Sequence, residues 1–134
     1  MNYEEARDLI FKVFNDVWNP AYPVRWPDQP GDIPGTETPW ARVTLRHTNG
    51  QQASLSGEVG TKLYTNSGTL FIQVFTPIGG DMVNGYTLTQ QVTNAYRDAK
   101  LDVWFRNTRM KEIGASGAFQ QFNVLTDFQY DDVR

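Results

Sequence analysis

One histidine, His47, stands in a chain of 134 residues that has no cysteine. These counts exclude disulfides, thiol nucleophiles and cysteine-built or multi-histidine zinc centres, and they leave a histidine-based triad only if His47 is its base. His47 follows Ala41, Val43 and Leu45 at two-residue spacing, so it reads as a structural histidine on the apolar side of a strand. Gly79 and Gly80 follow an apolar run and precede a helical pattern. No Gly-x-Gly-x-x-Gly and no Walker lysine accompanies them, so they read as a turn with positive φ and not as a phosphate cradle. Asp127, Asp131 and Asp132 could hold a hard cation only if they converged, and solvated acidic residues near a chain end are the simpler reading. Trp104, Phe105 and Arg106, with Arg97, Lys100, Arg109 and Lys111 near them, interleave aromatic and basic residues as nucleic-acid stacking surfaces do. A solvated helix end is the competing reading. No catalytic, cofactor or metal site assembles from these residues, and the chain reads as a non-enzyme.

Twelve Lys and Arg against fifteen Asp and Glu give a net charge of −3, without the basic excess that drives tight phosphate binding. The length suits one domain, residues 1–134, able to bury roughly 68% of its unfolded surface. No stretch has the roughly 20 apolar residues of a membrane span, and no signal-peptide pattern opens the chain, so a soluble protein assembled in the cytoplasm is expected.

Positioning falls to a few elements. Ala6, Leu9, Ile10, Val13, Phe14, Val17 and Trp18 recur at three-four spacing, which predicts an amphipathic helix over residues 2–18, with Asn2 and Glu5 as a capping box and Arg7, Asp8, Lys12, Asn15 and Asp16 on its wet face. Six of the seven prolines fall in residues 19–39, so this is a long loop with at most a short strand at 21–26. Trp40 to His47 alternates as a strand, with a hairpin turn expected at Asn49 and Gly50. Gln51 to Tyr64 is strand-compatible, with Ala53 and Leu55 in phase and bends at Gly57 and Gly60. Asn66, Ser67 and Gly68 then read as a turn into Thr69 to Thr76, which is apolar on both faces and therefore central. Leu88, Val92, Ala95, Tyr96 and Ala99 predict a second helix starting near Gly85 to Thr87. Asp102 to Asn107 reads as a short strand, Arg109 to Ala118 as a mobile connection, and Phe122 to Tyr130 as the cleanest alternating strand. The order predicts an α+β two-layer sandwich, a mixed or antiparallel sheet with two helices on one face.

These elements resemble the tail terminator, or tail completion, proteins of long-tailed non-contractile bacteriophages. The resemblance is carried by the opening helix EEARDLIFKVFNDVW, the strand GTLFIQVFTPIGG, the following helix through YRDAK, the strand DVWFRN and the closing FQQFNVLTDFQYDD. The chain departs from the family in its long proline-rich segment and in Asp81, Met82, Val83 and Asn84, which stand where the family is richer in Gly and Ala. The resemblance implies a virion neck protein: a homohexameric ring that caps the head-proximal end of the tail tube, stops tube polymerisation and offers the head connector a joining surface. DNA would pass through it without specific binding, and no cofactor would be needed. A head-closure or connector protein of the same neck, or a small ligand-binding or enzymatic α+β module, are the alternatives. On this reading Tyr22, Trp26, Ile33 and Trp40 are candidate interface residues. Gln121, Asn123, Asp127 and Gln129 are candidates for the channel wall, which a charge of −3 per chain predicts to be neutral or acidic.

Overall fold

In the computed structural model, the described residues are 1–27, 38–52, 62–79 and 82–133. The chain forms α1 (Tyr3–Val17), β1 (Val24–Arg25), β2 (Trp40–Gln52), β3 (Leu63–Pro77), α2 (Met82–Asp98), β4 (Trp104–Ser116) and β5 (Phe119–Val133). The five strands make one open mixed sheet in the order β1-β2-β3-β5-β4, with β1 parallel to β2 and the other pairs antiparallel. Both helices lie on one face. This is the expected α+β arrangement, and β3 is central as its apolar composition requires.

The first helix forms as its sequence dictates. Asn2 accepts the Glu5 amide at 2.8 Å while Glu5 reaches back to the Asn2 amide, a capping box that contributes about 1 kcal/mol. Ala6, Ile10 and Phe14 are fully buried, and Trp18 just beyond the helix is buried with them. They meet Leu88, Val92 and Tyr96 of α2 over the inward-facing Ala41, Val43, Leu70, Ile72, Val74, Phe122, Val124, Phe128 and Tyr130. The Tyr96 hydroxyl donates to the Ile10 carbonyl at 2.8 Å, so the polar end of a buried ring fastens one helix to the other. Burial drives its pKa upward and keeps the phenol protonated. Thr93 returns its hydroxyl to the Thr89 carbonyl at 2.8 Å, satisfying a buried polar group inside α2.

The strands are longer than the sequence pattern suggests, which corrects three expectations. Asn49 and Gly50 are not a hairpin turn: β2 runs through them to Gln52 with a bulge after His47, paired as far as Gln52 with Tyr64. Asn66, Ser67 and Gly68 are not a turn either, because they pair with both β2 and β5. Gly68 is there for closeness. A Cβ at this position would lie 1.9 Å from the Arg46 carbonyl oxygen and 2.7 Å from the Phe128 ring, so neighbouring backbone and ring exclude a side chain. The separate strand expected over 51–64 is the end of β2 and the start of β3, and Ala53, Leu55, Gly57 and Gly60 lie outside the described residues.

Two further corrections concern the second half. α2 starts at Met82, a turn before the expected Gly85 to Thr87, and Gly85 within it allows close packing, since a Cβ would come within 2.7 Å of the Phe122 ring. Arg109 to Ala118 is not a mobile connection. β4 extends to Ser116 against β5, with register shifts between Arg106 and Arg109 and between Glu112 and Gly114. Asn107 (φ 56°) and Gly114 (φ 102°) supply positive φ at these bulges. Cross-strand pairing thus overrides the loop-like composition of this segment. Gly79 has φ 81°, as expected of a turn, and Gly80 lies outside the described residues.

Replacing Gly68 by Ala is expected to cost about 2 kcal/mol or more, because the added methyl meets backbone that cannot retreat without breaking the β2–β3 ladder. Urea unfolding of Gly68→Ala beside the parent protein measures this. Equal midpoints would show that the two strands do not approach as described.

Candidate functional site

Alternation in an antiparallel sheet gives each strand one set of residues under the helices and one facing away. The outward set falls into cross-strand rows fixed by the register. Arg46 pairs with Thr69, Thr69 with Asp127, and Asp127 with Arg106; two residues along, Thr44, Phe71, Leu125 and Arg109 make the next row, followed by Arg42, Gln73, Asn123 and Lys111. Cations therefore stand on both sides of the centre of this open face, Arg42 and Arg46 on β2 with Arg25 of the edge strand β1 beside Arg42, and Arg106, Arg109 and Lys111 on β4. The two central strands carry hydroxyls, amides, Phe71, Leu125 and one carboxylate. A shallow depression of about 540 Å³ opens at its centre, with Arg46, Thr69, Phe71, Gln73 and Asn123 in its wall.

The polar groups of the face hold each other. Asp127 accepts from Thr69 Oγ1 at 3.3 Å and from Asn107 Nδ2 at 3.2 Å, Arg106 donates to Gln129 Oε1 at 3.1 Å, Arg42 to Gln73 Oε1 at 3.4 Å, and Gln121 to Asn123 Oδ1 at 2.9 Å. Among the described residues, none of the six cations has a carboxylate within 4.0 Å; the ion pairs there join the Met1 amino group to Asp132, Arg7 to Asp8 and Lys12 to Asp16. Trp104, 51% exposed, extends the β4 column at its end.

The four residues expected on a channel wall, Gln121, Asn123, Asp127 and Gln129, do share this face, all half-buried on β5. Their neighbours change its electrostatics. Six cations, Arg25 included, stand against Asp127 and Asp131, so the face is net positive where a neutral or acidic wall was expected. The expected interface residues are not gathered in one place. Tyr22 and Trp26 pack on the helix side: Trp18 donates its indole N–H to the Tyr22 carbonyl at 3.1 Å, and the Trp26 ring lies 5.1 Å from Phe11 and 5.9 Å from Phe14. Trp40 belongs to the other face, where it is 3% exposed and stacks on Phe75 at 4.2 Å, with Phe119 edge-on at 6.1 Å and the Arg42 guanidinium 5.5 Å from its ring. Among the described residues its buried indole nitrogen has no hydrogen-bond partner. Ile33 lies outside the described residues.

The remaining chemical candidates resolve into structure. His47 meets the Tyr130 hydroxyl at 2.6 Å through Nε2, and its ring lies edge-on to Tyr3, Phe128 and Tyr130. These aromatic neighbours desolvate the imidazole and lower its pKa below 6.5. Asp132 is on the helix side, 3.4 Å from the Met1 amino group, whereas Asp127 and Asp131 point the other way, so the three do not converge on a cation. Arg97, expected in a basic cluster with Arg106, instead donates to the Thr108 carbonyl at 3.0 Å and secures the β4 bulge. The cation columns escape sequence reading because the bulge changes the phase between Arg106 and Arg109. The alternation of Trp104 and Arg106, and again of Arg109 and Lys111, was the available signal.

A family model described as phage tail terminator protein matches residues 7–120. No curated protein sequence matches. One solved structure, 15% identical over 92% of this chain and 94% of that chain, superposes with a TM-score of 0.62, which shows a shared fold.

The histidine environment has a pH consequence. The folded pKa of His47 is below the 6.5 of the unfolded chain, so between the two values the unfolded state binds more protons. Its contribution to stability is complete above about pH 6.5 and declines as pH falls through that value toward the folded pKa. Melting temperatures of the parent and of His47→Gln between about pH 7.5 and 5 are expected to converge on acidification. Parallel curves would show that the imidazole titrates alike in both states.

Proposed function

We propose that this chain, which belongs to the phage tail terminator family and is thus a phage tail structural protein, forms a six-fold ring on the head-proximal end of the tail tube. The ring stops addition of tube protein and presents a joining surface to the head connector. A closed ring of identical subunits needs two different, mutually complementary surfaces on each one, because its contacts are heterologous. The observation that carries this reading is the two-sided build of the domain. Helices cover one face of the sheet, and the other face carries a hydrogen-bonded array of polar residues between cations.

Ring geometry is compatible with a conduit. A domain of this length has a radius of gyration of roughly 14 Å, so six subunits about 35 Å across leave an opening wide enough for duplex DNA. The open face, with Gln121, Asn123, Asp127 and Gln129, lines that channel. The subunit joint lies at the sheet edge formed by β1 and β2 and the adjoining proline-rich segment, residues 19–39, where among the described residues β1 covers Ala41 and Arg42 alone. The β4 edge suits strand addition less well, since bulges and charged side chains interrupt it. Termination follows from asymmetry: one side of the ring matches a tube subunit and the other offers the next tube subunit no equivalent surface. Tyr22, Trp26 and Ile33 serve the joint, and Trp40, seated among Phe75 and Phe119, shapes the adjoining rim.

Light scattering on the purified protein, and on neck complexes extracted from virions, is expected to give a particle of six times the 15.3 kDa chain mass. Phage lacking the gene are expected to build overlong tails that the intact gene restores to length. A monomer in both preparations, or normal tails without the gene, would overturn the proposal. Trp26→Ala refines it: stable protein with overlong tails places Trp26 at a contact, and a large drop in melting temperature confines it to the helix side of the core.

A further inference from the structure

The cations of the open face are arranged in a way that neither strand geometry nor the terminator role requires. Two columns flank the sheet centre, Arg42 and Arg46 on β2, with Arg25 of the edge strand β1 beside Arg42, and Arg106, Arg109 and Lys111 on β4, with β3 and β5 between the columns. Three strand spacings of about 4.8 Å separate the columns, roughly 14 Å in all. That is comparable to the ~12 Å width of the B-DNA major groove. Along β2, Arg42 and Arg46 are four residues apart, about 13 Å, which spans the axial rise of about four phosphates on one strand.

We propose that this face contacts the phosphate backbone of duplex nucleic acid, one cation column to each strand, with the hydroxyls and amides of β3 and β5 over the groove between them. Its place in the virion rests on the channel reading above; its chemistry does not. Charge balance sets the strength. Six cations, Arg25 beside Arg42 included, oppose Asp127 and Asp131, so the face is net +4 in a chain of −3, and the remainder of the chain is −7. Binding confined to this face should be weak and readily reversed by salt, which suits a wall past which a duplex must slide. Composition favours nucleic acid over a protein occupant. Protein interfaces concentrate apolar anchors at their centre, whereas the centre here is Thr69, Gln73, Asn123 and Asp127, with only Phe71 and Leu125 among them and both half-buried. Wet, polar, cationic surfaces are the rule for nucleic acid. The exposed Trp104 at the end of the β4 column supplies a flat ring beside Arg106 of the kind that supports sugar and base contacts.

Fluorescence anisotropy with a labelled duplex of about 20 base pairs, titrated from about 20 to 200 mM salt, tests this. The parent protein is expected to bind at the low end and to lose affinity linearly in a double-logarithmic plot. Arg46→Gln combined with Lys111→Gln, one residue from each column, should reduce the slope by about two units and weaken binding roughly tenfold at about 0.1 M salt. Arg7→Gln combined with Lys12→Gln, two exposed helix cations, removes equal charge and should leave the slope unchanged. No binding at about 20 mM salt, an unchanged slope in the first pair, or an equal loss in the second would each overturn the proposal. If the first pair lowers the mass of the assembly and leaves the slope intact, the face is a protein contact and the proposal fails. A parent protein that binds the duplex as a monomer, in virions as well, sinks the ring while leaving this surface standing.

Discussion

Everything the open face can do depends on the register in which β3 is held between β2 and β5. The side-chain period of a strand is two, so a slip of one residue would exchange Leu70, Ile72 and Val74 for Thr69, Phe71, Gln73 and Phe75 under the helices. Val43, Ile72 and Val124 form one fully buried row across three strands, and that row fits only the observed register. Gly68 adds a steric lock. It is the residue without a Cβ at the point where β3 passes the Arg46 carbonyl and the Phe128 ring, and a neighbour moved into its place would collide with both. Core packing and cation placement are therefore one constraint viewed from opposite sides of the sheet.

That constraint explains which elements were legible in the sequence. α1 carries its periodicity and its cap locally, so it was found close to its true limits, whereas the alternation of β5 was read over 122–130 and the strand runs three residues further at each end, to Phe119 and Val133. The central place of β3 followed from apolar residues in both phases. The misread segments were those where local chemistry and long-range pairing disagree. Asn49 with Gly50, and Asn66 to Gly68, have turn composition, yet each lies inside a ladder where its partners are 16 to 64 residues away in the chain. Arg109 to Ser116 is small and charged because it is an edge strand facing water, and an edge with such residues resembles a loop until its partner is known; only Gly117 and Ala118 are turn.

The same distinction governs the site. The polar phase of β5 was visible in one strand, so Gln121, Asn123, Asp127 and Gln129 could be assigned to a common face. The cations that set the sign of that face come from β1, β2 and β4, and no single-strand pattern links Arg46 to Arg106 through Thr69 and Asp127. Net charge misled for a related reason: a chain total of −3 says nothing about how charge divides between two sides of a sheet. Trp26 and Trp40 looked equivalent in the proline-rich region, but the short β1 lies beside β2 with the helices on one side alone, and the two rings end on opposite faces.

The bulge between Arg106 and Arg109 shows how a small backbone irregularity decides surface chemistry. In an unbroken strand Arg106 and Arg109 would point to opposite sides, which would place a guanidinium beneath α2 or remove it from the open face. The bulge at Asn107 and Thr108 restores phase: Arg106, Arg109 and Lys111 all face outward, while the Thr108 hydroxyl turns inward to meet Thr126 at 2.7 Å. Asn107 accepts the positive φ that this needs and spends its side chain on Asp127, and Arg97 takes the Thr108 carbonyl. A bulge thus satisfied costs the fold little. What it secures is a third cation in line on β4, opposite Arg42 and Arg46, so the net positive character of the face is a property of backbone geometry as much as of composition.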